Sequence, residues 1–556
     1  MKKTVILFSF LLLCTLSFSQ EKLKSFEAEY YDFLSLTNSV KKNYINYRTL
    51  EENTFSPSQE DEKHVWASLN LGKNRFLFNN SNISYKIYGL EWFSSYNTAA
   101  PFGYYDGALW QGRGYNTAIS GGLRFDCYGF SLSILPQISF SQNLSFEIMK
   151  ARNGISEFGY FWSCFDAPQR FGDKAFWNFD WGDTEIRYTW RKFTVGFGTE
   201  AIWLGPTTIN PVLASNNAPT YPKFDLGLRP TKIVIPFVNW YIGDIETRLW
   251  VGKLQESDYY DSDETNDYNQ YSGFTLSYAP SFVKGLSLGF AKVTLNKWGE
   301  NFWRYALPFF KGNTINTSEN DSGEDQKAAL FAHWLFSEVG LEIYGELGFD
   351  DFLSAGLALY EYARYPFHAM TYAVGLKKTF ELSKEKKIRG VLSFEWNDTE
   401  GSQDYQMWTG YNFGAHHQVT QGYTNEGQWL GSGIGYGGNS QALSFTVYSP
   451  HGYEKFIIGR NNIDNNYIFY KCVGADEEET KELGKRYYTA FKANFYVGFE
   501  NLYVLFKNFS IKYSFIYDLI INPTYEPKEL ASWGGANRGY SYWTNFHFSL
   551  ALKYQL

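Results

Sequence analysis

Apolar and polar residues alternate with a period of two along much of the chain. In the last segment Phe546, Phe548, Leu550, Leu552, Tyr554 and Leu556 take every even position, with His547, Ser549, Ala551, Lys553 and Gln555 between them. The alternation recurs in Ile511, Tyr513, Phe515, Tyr517 and Leu519, in Leu392, Phe394 and Trp396, and in Leu443, Phe445 and Val447. Phe193, Val195 and Phe197 repeat it, as do Leu341, Ile343, Leu347 and Phe349. A period of two sends successive side chains to opposite faces of a strand, so the pattern predicts an all-β chain with one apolar and one polar face per strand. Glu342 and Glu346 fall on the polar face, which is expected to line a wet lumen.

Composition narrows the kind of sheet. Aromatics make up 20% of the 556 residues and charged residues 19%, which excludes a disordered chain. The mean hydropathy of −0.36 and the lack of a long internal apolar run exclude a bundle of membrane-spanning helices. A transmembrane barrel fits both, because lipid-facing and lumen-facing residues alternate and average to a polar value. Lys2 and Lys3 precede an apolar run over residues 5–13, and Ser17 and Ser19 are the small residues of a cleavage site. Residues 1–19 therefore read as a secretory signal cut before Gln20, and the large Leu13 before Cys14 argues against a lipoprotein. An exported chain that ends on an aromatic-rich alternating strand is expected in the outer membrane.

Connection lengths give the direction of the strands. With the C-terminus in the periplasm, residues 521–541, 450–489 and 398–427 become external loops. The short connections near Lys507, at residues 437–440 and at residues 383–387 become internal turns. Ahead of the barrel, assigned to residues 65–556, residues 20–64 form a periplasmic N-terminal segment. Leu23, Phe26, Tyr30, Phe33 and Leu34 give it one helix, which serves as a tail, a plug or a partner-docking element.

Little in the chain suggests catalysis. Loss of Lys2 and Lys3 takes the formal charge from −8 to −10, which argues against nucleic acid as a partner. Cys127, Cys164 and Cys472 lack metal-ligand spacing, and the adjacent His416 and His417 would point to opposite faces of a strand, so neither metal nor cofactor is expected. The acidic stretch Asp258, Asp261, Asp263, Glu264 and Asp267 lacks the glycine and terminal glutamate of a calcium loop and reads as solvated surface. The acidic residues 476–479 read as a short exposed helix. His416, His417 and His451 fall in predicted external loops without a local nucleophile motif, so no enzyme is expected.

Three motifs carry more. They are PFGYYDGALWQGRGYNTAISGG over residues 101–122, WLGPTTINPVLASNNAPTYPKFDLGL over residues 203–228, and GYTNEGQWLGSGIG over residues 422–435. Together, in this order, they resemble the Wzi-type capsule assembly family of outer-membrane proteins. The resemblance implies a barrel of about eighteen strands that binds capsular or surface polysaccharide and holds it at the cell surface. Outer-membrane lipid and the polysaccharide export machinery are then its further partners. The better-known members of the family carry an N-terminal helical bundle at the periplasmic mouth, for which this chain has room for only one or two helices.

The same motifs have a reading of their own. Gly205, Pro206 and Pro219 break strands, and Asn216 and Asn217 suit a constrained turn, so residues 203–221 either fold against the barrel wall or line a sugar site through Trp203, Asn216, Asn217 and Tyr221. Asp106, Trp110, Gln111 and Arg113 form either a polar network in the lumen or a glycan contact. Trp408, Tyr411, Tyr423, Trp429 and Trp533 are expected at the outer rim, where aromatic faces cover sugar rings. The alternative function is a porin or transporter, which requires an open lumen.

Overall fold

The computed structural model describes residues 20–22, 25–39, 44–51, 75–78, 80–151, 154–160, 164–300, 302–307, 323–350, 370–400, 412–466, 478, 491–506, 508–525 and 541–554. The signal segment and the acidic residues 476 and 477 lie outside these, as do Trp408, Tyr411 and Trp533.

Eighteen antiparallel staves close into a barrel. They are β1 (Asn80–Asn97), β2 (Gly114–Cys127), β3 (Phe130–Ile134 and Gln137–Ser141), β4 (Phe176–Asp180 and Glu185–Trp190), β5 (Phe193–Gly198) and β6 (Lys223–Ile235). Next come β7 (Trp240–Gln255), β8 (Tyr268–Pro280), β9 (Leu286–Lys297), β10 (Glu324–Phe336), β11 (Leu341–Asp350) and β12 (Met370–Ser383). The last six are β13 (Ile388–Asp398), β14 (Asn439–Ser449), β15 (Gly452–Asn462), β16 (Ala493–Phe506), β17 (Phe509–Ile521) and β18 (Tyr542–Tyr554). Each stave pairs with its neighbours in sequence, and β18 closes on β1 from His547↔Asn97 to Tyr554↔Leu90. Closure leaves no long sheet edge in the bilayer, where an unpaired backbone group is costly. The interruption in β3 falls at Pro136, which has no N–H to give a ladder, and that in β4 at Gly182, whose φ of 58° a side chain would resist.

The alternation read from the sequence is the alternation of the wall. Phe193, Phe197, Ile343, Leu347, Phe394, Trp396, Leu443, Phe515, Phe548 and Leu550 all point outward and are exposed, as a lipid-facing band must be. Their neighbours Glu342, Glu346, Glu395, Asp518, Asn545 and His547 point inward and are buried. Inward charges are paired: Arg187 reaches Glu185 at 2.6 Å and Asp225 at 2.5 Å, Arg248 reaches Asp225 at 2.6 Å, and Lys327 lies 2.9 Å and 3.0 Å from Asp325 and Asp350.

The lumen these residues line is largely filled, which corrects the wet interior expected around Glu342 and Glu346. A hydrophobic cluster occupies it, joining Leu204, Val212 and Leu213 of the β5–β6 connection to Phe413, Tyr423, Leu430 and Tyr436 of the β13–β14 connection. The N-terminal segment enters as well. Helix α1 (Ser25–Leu36) carries Phe33, which stacks on Tyr448 at 3.9 Å. Asp32 and Glu29 pair with Lys377 at 3.3 Å and Lys455 at 2.8 Å. Residues 44–48 are buried within the barrel. The helix thus packs against β12, β14 and β15 near the ends that face the periplasm.

One part of the predicted topology is shifted. Residues 437–440 are not an internal turn but open β14 at its outer end, and residues 428–436 run inside the lumen rather than across the wall. The internal turn is at Pro450 and His451, between β14 and β15, so the external connection starts at residue 463 and His451 faces the periplasm. One strand is thus exchanged for another, and the other connections keep the ends assigned to them. The turn at residues 384–387 lies where alternation placed it, and the connection after β13, expected to end at residue 427, runs to Asn439.

An epitope inserted after Lys386 or at His451 is expected to stay shielded on intact cells, and one at Gly474, in the β15–β16 connection, to be labelled. Surface labelling at Lys386 would overturn the direction of every strand.

Candidate functional site

Six long connections turn toward one another at the outer end of the barrel and leave a cleft of about 260 Å³ between them. Its wall includes Phe102, Tyr104 and Trp110 of the β1–β2 connection and Tyr160 and Phe165 of the β3–β4 connection. Trp429 and Tyr436 of the β13–β14 connection complete the aromatic side, with Trp543 at the start of β18. Polar groups between the rings are Gln111, Gln169, Asn217, Gln428, Asp464, Lys492 and Asn494.

The loops are held from below by carboxylates on the wall. Glu346 of β11 accepts from the Thr207 N–H at 2.9 Å, the Thr207 hydroxyl at 2.5 Å and the Val212 N–H at 2.9 Å. Glu395 of β13 accepts from the N–H groups of Thr208, Ile209 and Asn210 at 2.9, 2.8 and 3.1 Å, and from the Tyr344 hydroxyl at 3.0 Å. Glu246 of β7 does the same for Ile45, Asn46 and Tyr47 at 3.1, 3.0 and 3.2 Å. A buried carboxylate is tolerated when several backbone donors converge on it, and here each one fixes a stretch of chain that has no regular structure of its own.

The two asparagines join the three motifs. The Asn216 side-chain amide donates to the Tyr105 carbonyl at 2.8 Å, and the Asn216 backbone carbonyl accepts from Gly107 N–H at 3.0 Å. Asn217 accepts from Tyr105 N–H at 3.3 Å and donates to the Trp429 carbonyl at 3.0 Å. Tyr105, held at a φ of 68°, donates its hydroxyl to the Ile209 carbonyl and accepts from Gly433 N–H at 3.0 Å. Trp429 packs 4.8 Å from Phe165 and 5.3 Å from Tyr436, and a Cβ on Gly414 or Gly435 would lie within 2.6 Å of its ring. These two glycines are therefore the space the indole occupies.

The structure separates the sequence candidates into groups. Asn217, Trp110, Gln111 and Trp429 meet at the outer cleft. Trp203, Asn216 and Asp106 line a second, inner cavity of about 400 Å³, and Tyr104 borders both. Trp203 lies under Arg48 at 4.7 Å and bonds the Thr207 carbonyl at 3.2 Å, so it belongs to the interior. Burial pushes Asp106 up to about 6 despite the hydrogen bond it accepts from Gln111 at 2.5 Å. Arg113 donates to the carbonyls of Thr98 and Ser145 and ties two connections together. Tyr221 and Tyr423 are corrections to the sugar-contact reading. Both are buried in the interior cluster, where the Tyr423 hydroxyl bonds that of Tyr271 at 2.9 Å and the Tyr221 ring packs edge-on against Tyr271 at 5.7 Å. Gln169, Lys492, Asn494 and Trp543 were missed, since each sits at the end of a strand or in a loop without a local motif, and Gln428 was missed although it stands in the motif over residues 422–435, beside the Trp429 that was chosen.

The sequence profile of the family described as capsule assembly protein Wzi matches residues 130–450. No curated protein matches the chain. Among solved structures, Escherichia coli Wzi superimposes with a TM-score of 0.59 at 12% identity, covering 97% of this chain and 100% of its own. It is described as an outer-membrane protein involved in group 1 capsule assembly and as a carbohydrate-binding β-barrel. Pseudomonas aeruginosa OprD reaches 0.38 at 11% identity over 84% of this chain and 94% of its own. Acinetobacter baumannii OccAB4 reaches 0.38 at 9% identity, over 86% and 99%.

Replacing Asn216 and Asn217 together by Ala removes their side-chain bonds to Tyr105 and Trp429, which help join the β1–β2, β5–β6 and β13–β14 connections. The cost is expected at about 1–3 kcal/mol for each group left unsatisfied. Folded migration on semi-native gels should be lost at a lower temperature, and unchanged heat-modifiability of the double variant would overturn the bracing role.

Proposed function

The chain belongs to the Wzi capsule assembly family, and from that premise we propose that this outer-membrane barrel binds capsular or surface polysaccharide at its outer cleft and retains it on the cell. The observation that carries the reading is the cleft itself, aromatic faces set between amide and charged side chains at the external end of a filled barrel. Aromatic faces cover the apolar face of a pyranose, and amides pair with its hydroxyls. The residues proposed to touch sugar are Trp110, Gln111, Asn217, Trp429 and Trp543. The rim residues Trp408, Tyr411 and Trp533 are proposed to extend the surface.

Retention is a binding activity and requires no catalytic group. A porin would need a continuous lumen, and the interior cluster with the docked α1 opposes that. Outer-membrane lipid surrounds the wall under this reading, and the export machinery delivers the polymer.

Cells lacking the protein should still make surface polysaccharide but release more of it into the medium. Trp429→Ala should raise release more than it weakens binding of a single oligosaccharide, because retention multiplies many weak contacts. Equal release from wild-type and deletion cells, in a strain that makes capsule, would sink the reading.

A further inference from the structure

The short turns at the periplasmic end carry charge of the opposite sign to the chain. Among the described residues of those turns stand Arg191 and Lys192 between β4 and β5, Lys284 between β8 and β9, and Lys384, Lys386 and Lys387 between β12 and β13, against only Glu338 and Glu385. The whole chain has a formal charge of −8, and the β7–β8 connection at the opposite end holds six acids over residues 256–267 and neither Lys nor Arg. Lys284 meets Glu338 at 2.5 Å, whereas Arg191, Lys384 and Lys386 are exposed and form no ion pair within 4 Å among the described residues. These turns occupy one arc of the rim, from β4 to β13. The turns at Tyr128 and Gly129 and at Pro450 and His451 carry neither Lys nor Arg.

Exposed aromatics accompany the cations along this arc. The Arg191 guanidinium lies 5.1 Å from the centre of the Trp190 ring, and the Lys232 ammonium of β6 lies 5.8 Å from that of Tyr241 in β7. The Trp334 indole N–H donates to the Lys284 carbonyl at 3.2 Å, and Phe380 stands four residues before Lys384. Trp190, Trp334 and Phe380 alternate with inward residues of their staves, so they face the lipid side of the wall. Such aromatics mark the level at which hydrocarbon gives way to headgroups, and the cations in the adjoining turns therefore stand at the level of the phosphates.

We propose that this arc of the periplasmic rim binds the headgroups of anionic phospholipid in the inner leaflet, with the turn cations on the phosphates and the aromatics beside them in the interface. An acidic periplasmic protein would answer the cations but leave the outward-facing rings without a part in the contact, whereas a lipid meets both. A zwitterionic headgroup also has a phosphate, but it brings a cation of its own that these side chains repel. The proposal does not depend on polysaccharide retention, which concerns the other end of the barrel.

The test places the full barrel in phosphatidylcholine vesicles that hold a trace of spin-labelled phosphatidylglycerol or spin-labelled phosphatidylcholine, and reads by electron paramagnetic resonance the fraction of label immobilised on the protein. Phosphatidylglycerol should associate about fivefold more strongly, the scale of one cation beside an anionic headgroup, and the advantage should shrink as salt is raised. Replacing Arg191, Lys192, Lys384 and Lys386 together by Gln should remove the advantage with heat-modifiability unchanged, since all four are exposed. Arg in place of the three lysines should keep it, because the charge and not the side chain is what the headgroup meets. Lys150→Gln with Lys174→Gln, exposed in the external β3–β4 connection, should also leave it intact. Inorganic phosphate should lower it no more than chloride at equal ionic strength; a specific effect of phosphate would assign the cations to a free anion and overturn the lipid proposal. Equal immobilisation of the two labels would overturn it as well and leave the arc to an acidic protein, and so would a fourfold Gln variant that keeps the advantage.

Discussion

Carboxylates on the inner wall that accept backbone N–H groups are the constraint from which the rest of the structure follows. Glu246, Glu346 and Glu395 stand on three different staves, and each is buried. A lone carboxylate in such a place would be strongly destabilising. Each is stabilised by two or three backbone N–H groups from residues 45–47 or 207–212. The satisfied groups cannot be provided by a loop that stays in solvent, so the loop must turn inward. Once it has, Val212, Leu213 and Leu204 come with it and find Phe413, Tyr436 and Ala329 in the interior. The polar anchor and the hydrophobic cluster are two halves of one arrangement: the first sets where the chain runs, the second supplies most of the burial.

A filled lumen changes what a barrel can do. In an open barrel the inner wall is a solvated surface and the loops frame a passage. Here the inner wall is the shell of a core, and the loops form a rigid upper layer over it. The cleft stands on that layer. Asn216 and Asn217 fix Tyr105 and Trp429 relative to each other, and Gly414 and Gly435 leave the space in which the Trp429 ring lies. Side chains that are already in place when a ligand arrives lose little freedom on binding, which is how shallow contacts reach useful affinity.

The wall was legible in the sequence and the interior was not, for a physical reason. Strand alternation is a local pattern, and a lipid outside makes it strict, so Phe394 and Trp396 or Phe548 and Leu550 announce their face without knowledge of their neighbours. Burial in the lumen depends on partners more than a hundred residues away. Glu346 looks like a residue for a wet channel until Thr207 and Val212 are seen on it, and Tyr423 looks like a rim aromatic until Tyr271 meets it. The exchange of one strand near residues 428–462 has the same origin. Glycines in residues 431–438 resemble a turn, yet they serve close packing inside, while Pro450 and His451 make the actual turn in two residues. The motif over residues 203–228 was recognisable as a unit, and its asparagines suited a constrained turn or a sugar site equally. That Asn217 reaches the outer cleft while Asn216 faces the inner cavity depends on a single step along the chain.

The electrostatics bear on how a polymer stays attached. An acidic barrel has no long-range attraction for an acidic glycan, since charges beyond about 10 Å are screened and the near ones repel. Recognition is left to groups in contact. Aromatic faces and amides serve any sugar, and they supply affinity without much selectivity. Weak single contacts of this kind become firm attachment only because the polymer repeats and the barrels are many, so the affinity of one cleft and the retention of a whole chain are different quantities.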